Sequence, residues 1–325
     1  MLYYESNFLY MSILVSGSLV YDHIMNFPDS FKNHILPDSI HILNVCFIVD
    51  RLEKSWGGTA GNIAYTIKLL GNEPTIVSSL GKDGEEYLKH FKKNKINIDH
   101  IKVDEKQFTA SAHITTDADD NQITAFFGGP LDLAGGINLQ DTKEEFSLAI
   151  ISPTQKEVMI KHMKECSEMG IKTMFDPGQQ ITAFNESELQ KMISQAHFVI
   201  GNDYEIKLLQ ERTGWDTNEI LKNTKVLIIT LGEKGSLIKT AEGEEVSVGP
   251  CHPVSFDDPT GAGDAFRAGF LVGYELGYNW KMCGQIGSVA ASYAIETYGT
   301  QAHTFTKEEF CERYKHAYDE TLNLV

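Results

Sequence analysis

Near the C-terminus, the run Asp257-Asp258-Pro259-Thr260-Gly261-Ala262-Gly263-Asp264-Ala265-Phe266 sets a carboxylate directly after three small residues. Pro259 ends extended structure, and Gly261, Ala262 and Gly263 let a backbone come close to a ligand. A helical pattern follows from Asp264, with Phe266 and Phe270 on one face and a stop near Gly277. The N–H groups of Gly261, Ala262 and Gly263 therefore gather at a helix N-terminus, an arrangement that holds anions. Asp264 falls in the same first turn, where it can take a proton from a hydroxyl. A carboxylate base beside a phosphate cradle is what phosphoryl transfer to an alcohol requires. An isolated G-x-G-D is more often a structural turn with an Asp at a helix start. The companions of the run elsewhere in the chain decide for the chemical reading. Other phosphate motifs are missing. There is no G-x-x-x-x-G-K-[ST], the third glycine of a dinucleotide fingerprint is replaced by Phe266, and the protein-kinase set is absent.

Short apolar runs alternate with longer helical patterns along the chain. The spacing predicts strands at Ile13–Val15, Thr75–Ser78, Leu148–Ile151, Lys172–Phe175, Phe198–Ile200 and Val226–Thr230. It predicts helices near Ala60–Leu70, Glu85–Lys93, Glu157–Glu168 and Glu205–Arg212. Ser187 with Gln190, and Thr306 with Glu309, fit helix-start capping boxes. Most of the strands are apolar at successive positions, as strands covered on both faces are. The expected fold class is α/β, with a mostly parallel central sheet between helices. Two stretches, 27–54 and 110–127, lack helices. Within the second, His113–Thr116 and Gln122–Phe127 flank Asp117–Asn121 and read as a hairpin. These two stretches are expected to form a small β lid that excludes water from a transferred group.

The 325 residues suffice for one large α/β domain or two ordinary ones. A net charge of −17 repels nucleic-acid phosphates and anionic membranes, so neither is an expected partner. An anionic substrate must then meet a local positive site, built from backbone N–H groups rather than a basic face. Five cysteines without a C-x-x-C pair fit a reducing, cytoplasmic setting. Met1–Tyr10 has no basic n-region of a signal peptide. The expectation is that Met11 is the native start, or that residues 1–10 are a loosely held extension of a kinase domain spanning 11–325. His162 and Cys166 are spaced i, i+4, but no further ligands accompany them, and no metal site is read there.

The Asp-x-Thr-Gly-Ala-Gly-Asp run resembles the signature of the ribokinase-like (PfkB) carbohydrate and nucleoside kinases. Gly57-Gly58-Thr59-Ala60-Gly61-Asn62 is similar to the family's substrate motif. Asn202-Asp203-Tyr204-Glu205 and Thr230-Leu231-Gly232-Glu233-Lys234-Gly235 match two further motifs, in the family's order. Within the family the chain most resembles the bacterial adenosine kinases, over nearly its whole length from Met11. The stretches Gly17–Asp22 and Asp176–Gln180 extend the likeness. The resemblance implies a three-layer α/β/α fold and a pocket between the sheet's carboxyl edge and the lid.

It also implies roles. Asp22 would grip ribose hydroxyls, Gly58 would offer its backbone to the sugar, and Asn62 would donate or accept there. Asn202 and Glu205 would organise Mg²⁺ and its waters near the ATP phosphates. Thr230, Gly232 and Gly235 would touch those phosphates. Phe126 would stack on a purine, and Gln179 and Gln180 would bond its edge. An aromatic expected near Ala112 is missing, and His113 is the substitute to consider. Arg267 would orient the base or balance phosphate charge, with a surface ion pair as the alternative. A monovalent cation such as K⁺ is expected to modulate activity, without assignable ligands, and homodimers are expected through the lid. The expected function is transfer of the ATP γ-phosphoryl to the 5′-hydroxyl of a nucleoside, adenosine first. A ribose or related sugar kinase of the same family is the alternative, and a non-catalytic ligand-binding paralogue the next.

Overall fold

The protein is described by a computed structural model covering residues 11–119 and 121–324. The stretch Met1–Tyr10, and with it the choice of Met1 or Met11 as start, lies outside the described residues. In chain order the elements begin with β1 (Ser12–Ser16), β2 (Val20–Asn26), β3 (Arg51–Gly57), α1 (Thr59–Leu69), β4 (Pro74–Gly81) and α2 (Glu85–Lys93). Next come β5 (Ile101–Asp104), β6 (Ser111–Thr116), β7 (Gln122–Phe127), β8 (Phe146–Ile151), α3 (Lys156–Glu168) and β9 (Lys172–Phe175). Then follow α4 (Glu186–Gln195), β10 (Phe198–Asn202), α5 (Asp203–Thr213), α6 (Thr217–Asn223) and β11 (Val226–Thr230). The chain ends with β12 (Ser236–Thr240), β13 (Glu245–Val248), α7 (Ala262–Glu275), α8 (Trp280–Ile295) and α9 (Lys307–Tyr318).

Nine strands form one sheet in the order β13-β12-β11-β10-β9-β8-β1-β4-β5. All pairs are parallel except those of the edge hairpin, where β12 runs antiparallel to β11 and β13. Successive residues of each central strand feed opposite layers. Ile13 and Val15 join the core under α1, α2, α7, α8 and α9, and Leu14 joins the core under α3 to α6. That is why these strands read as unbroken apolar runs and not as alternating ones. The order reverses at β1, which pairs β4 on one side and β8 on the other. Chains leaving the carboxyl ends of β1 and β8 diverge there and open a crevice, the usual ligand site of open α/β sheets.

A second sheet, ordered β3-β2-β6-β7, stands apart. It takes in Val20–Asn26 and runs on to Gly57, both outside the stretches 27–54 and 110–127 expected to form the lid. Val-Tyr-Asp-His-Ile-Met-Asn carries polar groups on both faces, so β2 lacks the alternation that marks a half-buried strand. The hairpin of β6 and β7 is as expected.

Helix starts differ in detail. Thr306 and Glu309 form the expected capping box, but α4 is capped by Asn185 with Glu188 and not by Ser187 with Gln190. Asn185 has extended backbone angles and its side chain accepts from the Glu188 N–H, whereas Ser187 is already inside the helix. The helix carrying the motif begins at Ala262, two residues before the expected Asp264. It lies against α8 at very short range. A Cβ added to Gly269 would meet the Ile286 carbonyl at 2.7 Å and Gly287 Cα at 2.8 Å. One added to Gly287 would meet the Phe266 carbonyl at 2.9 Å. Backbone therefore rests on backbone at this crossing, which seats α7 firmly. His162 belongs to the core behind β1, where its Nδ1 pairs with Ser16 Oγ at 2.8 Å. All five cysteines are free thiols.

Candidate active site

Asp264 is positioned from below by α7 and from the side by α1. Gly261 caps α7 with φ +84°, a left-handed conformation that a glycine adopts without strain. The next N–H groups point out of the helix start, since the first turn has no partners for them. Ala262, expected to donate to an anion, turns its N–H to the Pro259 carbonyl at 3.3 Å. The donors left at this end are those of Gly261, Gly263 and Asp264. Asp258 holds the approach to the turn by accepting from Thr260 N–H at 2.9 Å.

From α1, Asn62 Nδ2 donates to Asp264 Oδ2 at 2.8 Å. Asn62 is buried, and its oxygen is occupied by Thr300 and Gln301, so it reaches the site through Asp264. Behind Asp264, Arg267 is buried against Asp176. Its Nε lies 2.5 Å from Oδ2 and its Nη2 donates to Oδ1 at 2.8 Å. The surface ion pair considered for Arg267 is thus a buried one, with Asp176, the residue after β9, as its partner. Nη1 also donates to the Gly263 carbonyl at 3.0 Å, bracing the anion turn. Burial pushes the Asp264 carboxyl up to about 6; Arg267 and Asn62 oppose that shift, while Asp176 and Glu205 add to it.

The small sheet brings Asp22 to the same place. Its register lines up Ser55, Asp22, Ala112 and Phe126 across the four strands, so all four share one face. Burial, then the charges of Asp264 and Asp258, raise Asp22 to about 7. Gly57 makes room for this carboxylate, because a Cβ there would run into Asp22 Oδ2. Gly58 has φ +88°, and a Cβ on it would meet the Ser18 carbonyl at 2.5 Å, so its place is demanded by the turn into α1. His113 is one residue out of the Asp22 row. It stacks on His23, ring centroids 4.7 Å apart, on the opposite face. It therefore cannot replace an aromatic over a ligand beside Ala112, because successive strand residues point to opposite faces.

A cavity of about 680 Å³ opens where these parts meet. Ser18, Thr154, Asp176, Asn202 and Thr230 contribute to it from the carboxyl ends of five neighbouring strands. Phe126, 59% exposed, and Gln179 and Gln180 line one part of it. Gly261, Gly263, Asp264 and Glu205 line another. Asp22, Gly58, Asn62, Ala262, Gly232 and Gly235 are not among its lining residues. Gly235 instead packs its backbone against the end of β13, where a Cβ would collide with the Val248 carbonyl.

Asn202 and Glu205 form a complete capping box on α5, each side chain bonded to the other's backbone N–H at 2.8 Å. The Asn202 oxygen is thereby tied to the cap. Its amide N–H groups suit a phosphate oxygen. Glu205 lines the cavity and has its carboxyl raised by burial, with the Asn202 N–H opposing the shift.

Asp176 entered the sequence reading only as the start of a resembling stretch, without a role, and Thr300 and Gln301 did not enter it. Asp176 precedes a proline at the end of β9, a position where α/β sheets place ligand groups. Thr300 and Gln301 belong to no motif, and only their contacts with Asn62 reveal them.

A model of the pfkB family carbohydrate kinases matches residues 17–307. A nucleoside kinase of Methanocaldococcus jannaschii is 32% identical over 273 residues, 83% of this chain and 89% of that protein. The solved Burkholderia thailandensis nucleoside kinase in complex with inosine superposes with a TM-score of 0.87 at 34% identity, covering 95% of this chain and 99% of the other. The same enzyme with ADP-inosine gives 0.84 at 36% identity, covering 95% and 97%.

Proposed function

The chain belongs to the pfkB family of carbohydrate kinases, phosphotransferases with an alcohol acceptor, and on that premise we propose that it transfers the γ-phosphoryl of ATP to the 5′-hydroxyl of a purine nucleoside. The observation that carries this reading is Asp264 in the first turn of α7, beside unpaired N–H groups and on the wall of a 680 Å³ cavity. Adenosine is the acceptor read from the sequence, and inosine is the one bound by the Burkholderia enzyme. Phe126, Gln179 and Gln180 on one cavity wall favour a base-bearing acceptor over a bare sugar, which has nothing to stack.

In the proposed reaction Asp264 takes the hydroxyl proton as the acceptor oxygen bonds to phosphorus and the bond to ADP breaks. The N–H groups at the start of α7 face the oxygens of the moving group, and Asp22 accepts hydrogen bonds from ribose hydroxyls. Thr230 and Asn202 hold the donor's phosphates. Mg²⁺ would offset phosphate charge when bound. Among the described residues no cluster of three or more metal-ligating side chains occurs. One carboxylate, Glu205, on the cavity wall suits an ion that keeps most of its waters and leans on the nucleotide. The small sheet acts as the lid, and its exposed outer strand β7 offers an open edge on which two copies pair. Light scattering should give a dimer mass, and a monomer mass at all concentrations would remove that pairing.

The test is ADP release with ATP and Mg²⁺ against adenosine, inosine, pyrimidine nucleosides, ribose and fructose. Turnover on purine nucleosides is the expected result, and turnover only on a free sugar would overturn the nucleoside reading. Phe126→Ala should raise the nucleoside KM roughly tenfold or more with kcat little changed, since base–aromatic stacking is worth about 1–3 kcal/mol. An unchanged KM would take Phe126 out of the base site.

A further inference from the structure

We propose that Gln301 is a positioning residue: together with Thr300 it fixes the Asn62 side chain so that an N–H, and not the carbonyl oxygen, meets Asp264. The inference rests on the reading of Asp264 as the base. A side-chain amide can turn over without changing shape, so the partners of its other end decide which atom faces the carboxylate. Here Asn62 Oδ1 accepts from Gln301 Nε2 at 3.0 Å and lies 2.7 Å from Thr300 Oγ1. The Thr300 hydroxyl is also 2.7 Å from the Trp56 carbonyl, and its single proton serves one acceptor at a time. Gln301 is therefore the steady donor.

Gln301 is itself held in one orientation. Its Nε2 donates to Tyr87 Oη at 2.6 Å, and the Tyr87 proton goes to the Gly57 carbonyl at 2.6 Å. A reversed Gln301 would set its oxygen against the Asn62 oxygen. The direction of every bond is thus dictated from a backbone carbonyl that can only accept. It passes through Tyr87, Gln301 and Asn62 and ends on Asp264. Trp56 and Gly57 close β3 at the foot of the small sheet, so the same chain ties that sheet to the base. A turned-over Asn62 would present its oxygen to the Asp264 carboxylate and favour the protonated, inactive form.

The charged groups facing Asp264 are Asp22 from β2, Asp176 after β9, Glu205 of α5 and Arg267 of α7. A substitution at 301 leaves all of them in place. Gln301→Met removes both donors at similar volume. The acid limb of its kcat–pH profile should move up by about one unit or more, because a hydrogen bond to an ionised carboxylate is lost or reversed. For a shift of about one unit kcat should fall about twofold at pH 7 and nearly tenfold at about pH 5, and it should match the wild-type value at pH 9. Thr300→Val, which removes the second donor to the same oxygen, should move the limb in the same direction by less. It carries the test if Gln301→Met does not fold. An acid limb coincident with that of the wild type, or a loss of equal factor at every pH, would overturn the proposal. Asp264→Asn run alongside separates the two readings. If it turns over like the wild type, the base assignment fails. If it is inactive while Gln301→Met keeps the wild-type limb, only the positioning role fails.

Discussion

Asp264→Asn should lower kcat by about 10²–10⁴, the range general-base catalysis supplies, while ATP binding stays within a factor of about two. The amide has nearly the shape of the carboxylate, and its oxygen can still accept from Asn62 Nδ2. The N–H groups at the start of α7 are untouched, so the phosphate cradle survives. What disappears is the group that accepts the hydroxyl proton. Steady-state ADP release at saturating ATP and nucleoside, with calorimetry for ATP, separates the two effects. Turnover within tenfold of the wild type would mean that some other group takes the proton.

Asp22→Ala should reduce kcat/KM for the nucleoside by about 10²–10³ and raise KM, because two acceptors for ribose hydroxyls vanish from a site built around them. The pH dependence follows from the same pair of carboxyls. Both are raised above the ordinary carboxylate range, Asp22 to about 7 and Asp264 to about 6, and both must be ionised to act. Wild-type kcat/KM should therefore be full above about pH 8, fall as pH drops through 7, and fall more steeply below about 6. In Asp22→Ala the upper step should vanish. The remaining step should move lower, because the negative charge facing Asp264 has gone. An Asp22→Ala profile with the wild-type shape would deny Asp22 any titrating role.

The chemistry of this site was more legible in the sequence than its support. Pro259 to Asp264 announces an anion turn and a base because small residues, a helix start and a carboxylate fall within one turn. The central strands were legible because burial on both faces leaves an unbroken apolar run, as in Val226–Thr230. β2 was not, since Asp22 faces the site while His23 faces away, and polar residues on both faces erase a period of two. The register that excludes His113 and admits Phe126 depends on pairing between distant segments, and no local pattern carries it. Thr300 and Gln301 act on Asn62 across more than two hundred residues of chain. An ordinary polar dipeptide after a glycine gives no hint of that.

The contact of α7 with α8 at Gly269 and Gly287 has a consequence for how this gene can vary. Gly269 lies about 8 Å along the helix axis from Asp264 at 1.5 Å per residue, and it touches nothing that reacts. Yet one methyl group there must push two backbones apart, and α7 carries the anion turn at its end. Inherited damage at such positions would leave every residue on the cavity wall intact while shifting their common platform. On the proposed function, changes at Asp22 or Phe126, in the row shared with Ser55 and Ala112, would instead alter what is accepted. Drift in acceptor choice is thus open to this protein through the small sheet, while the packed helix pair holds the transfer chemistry constant.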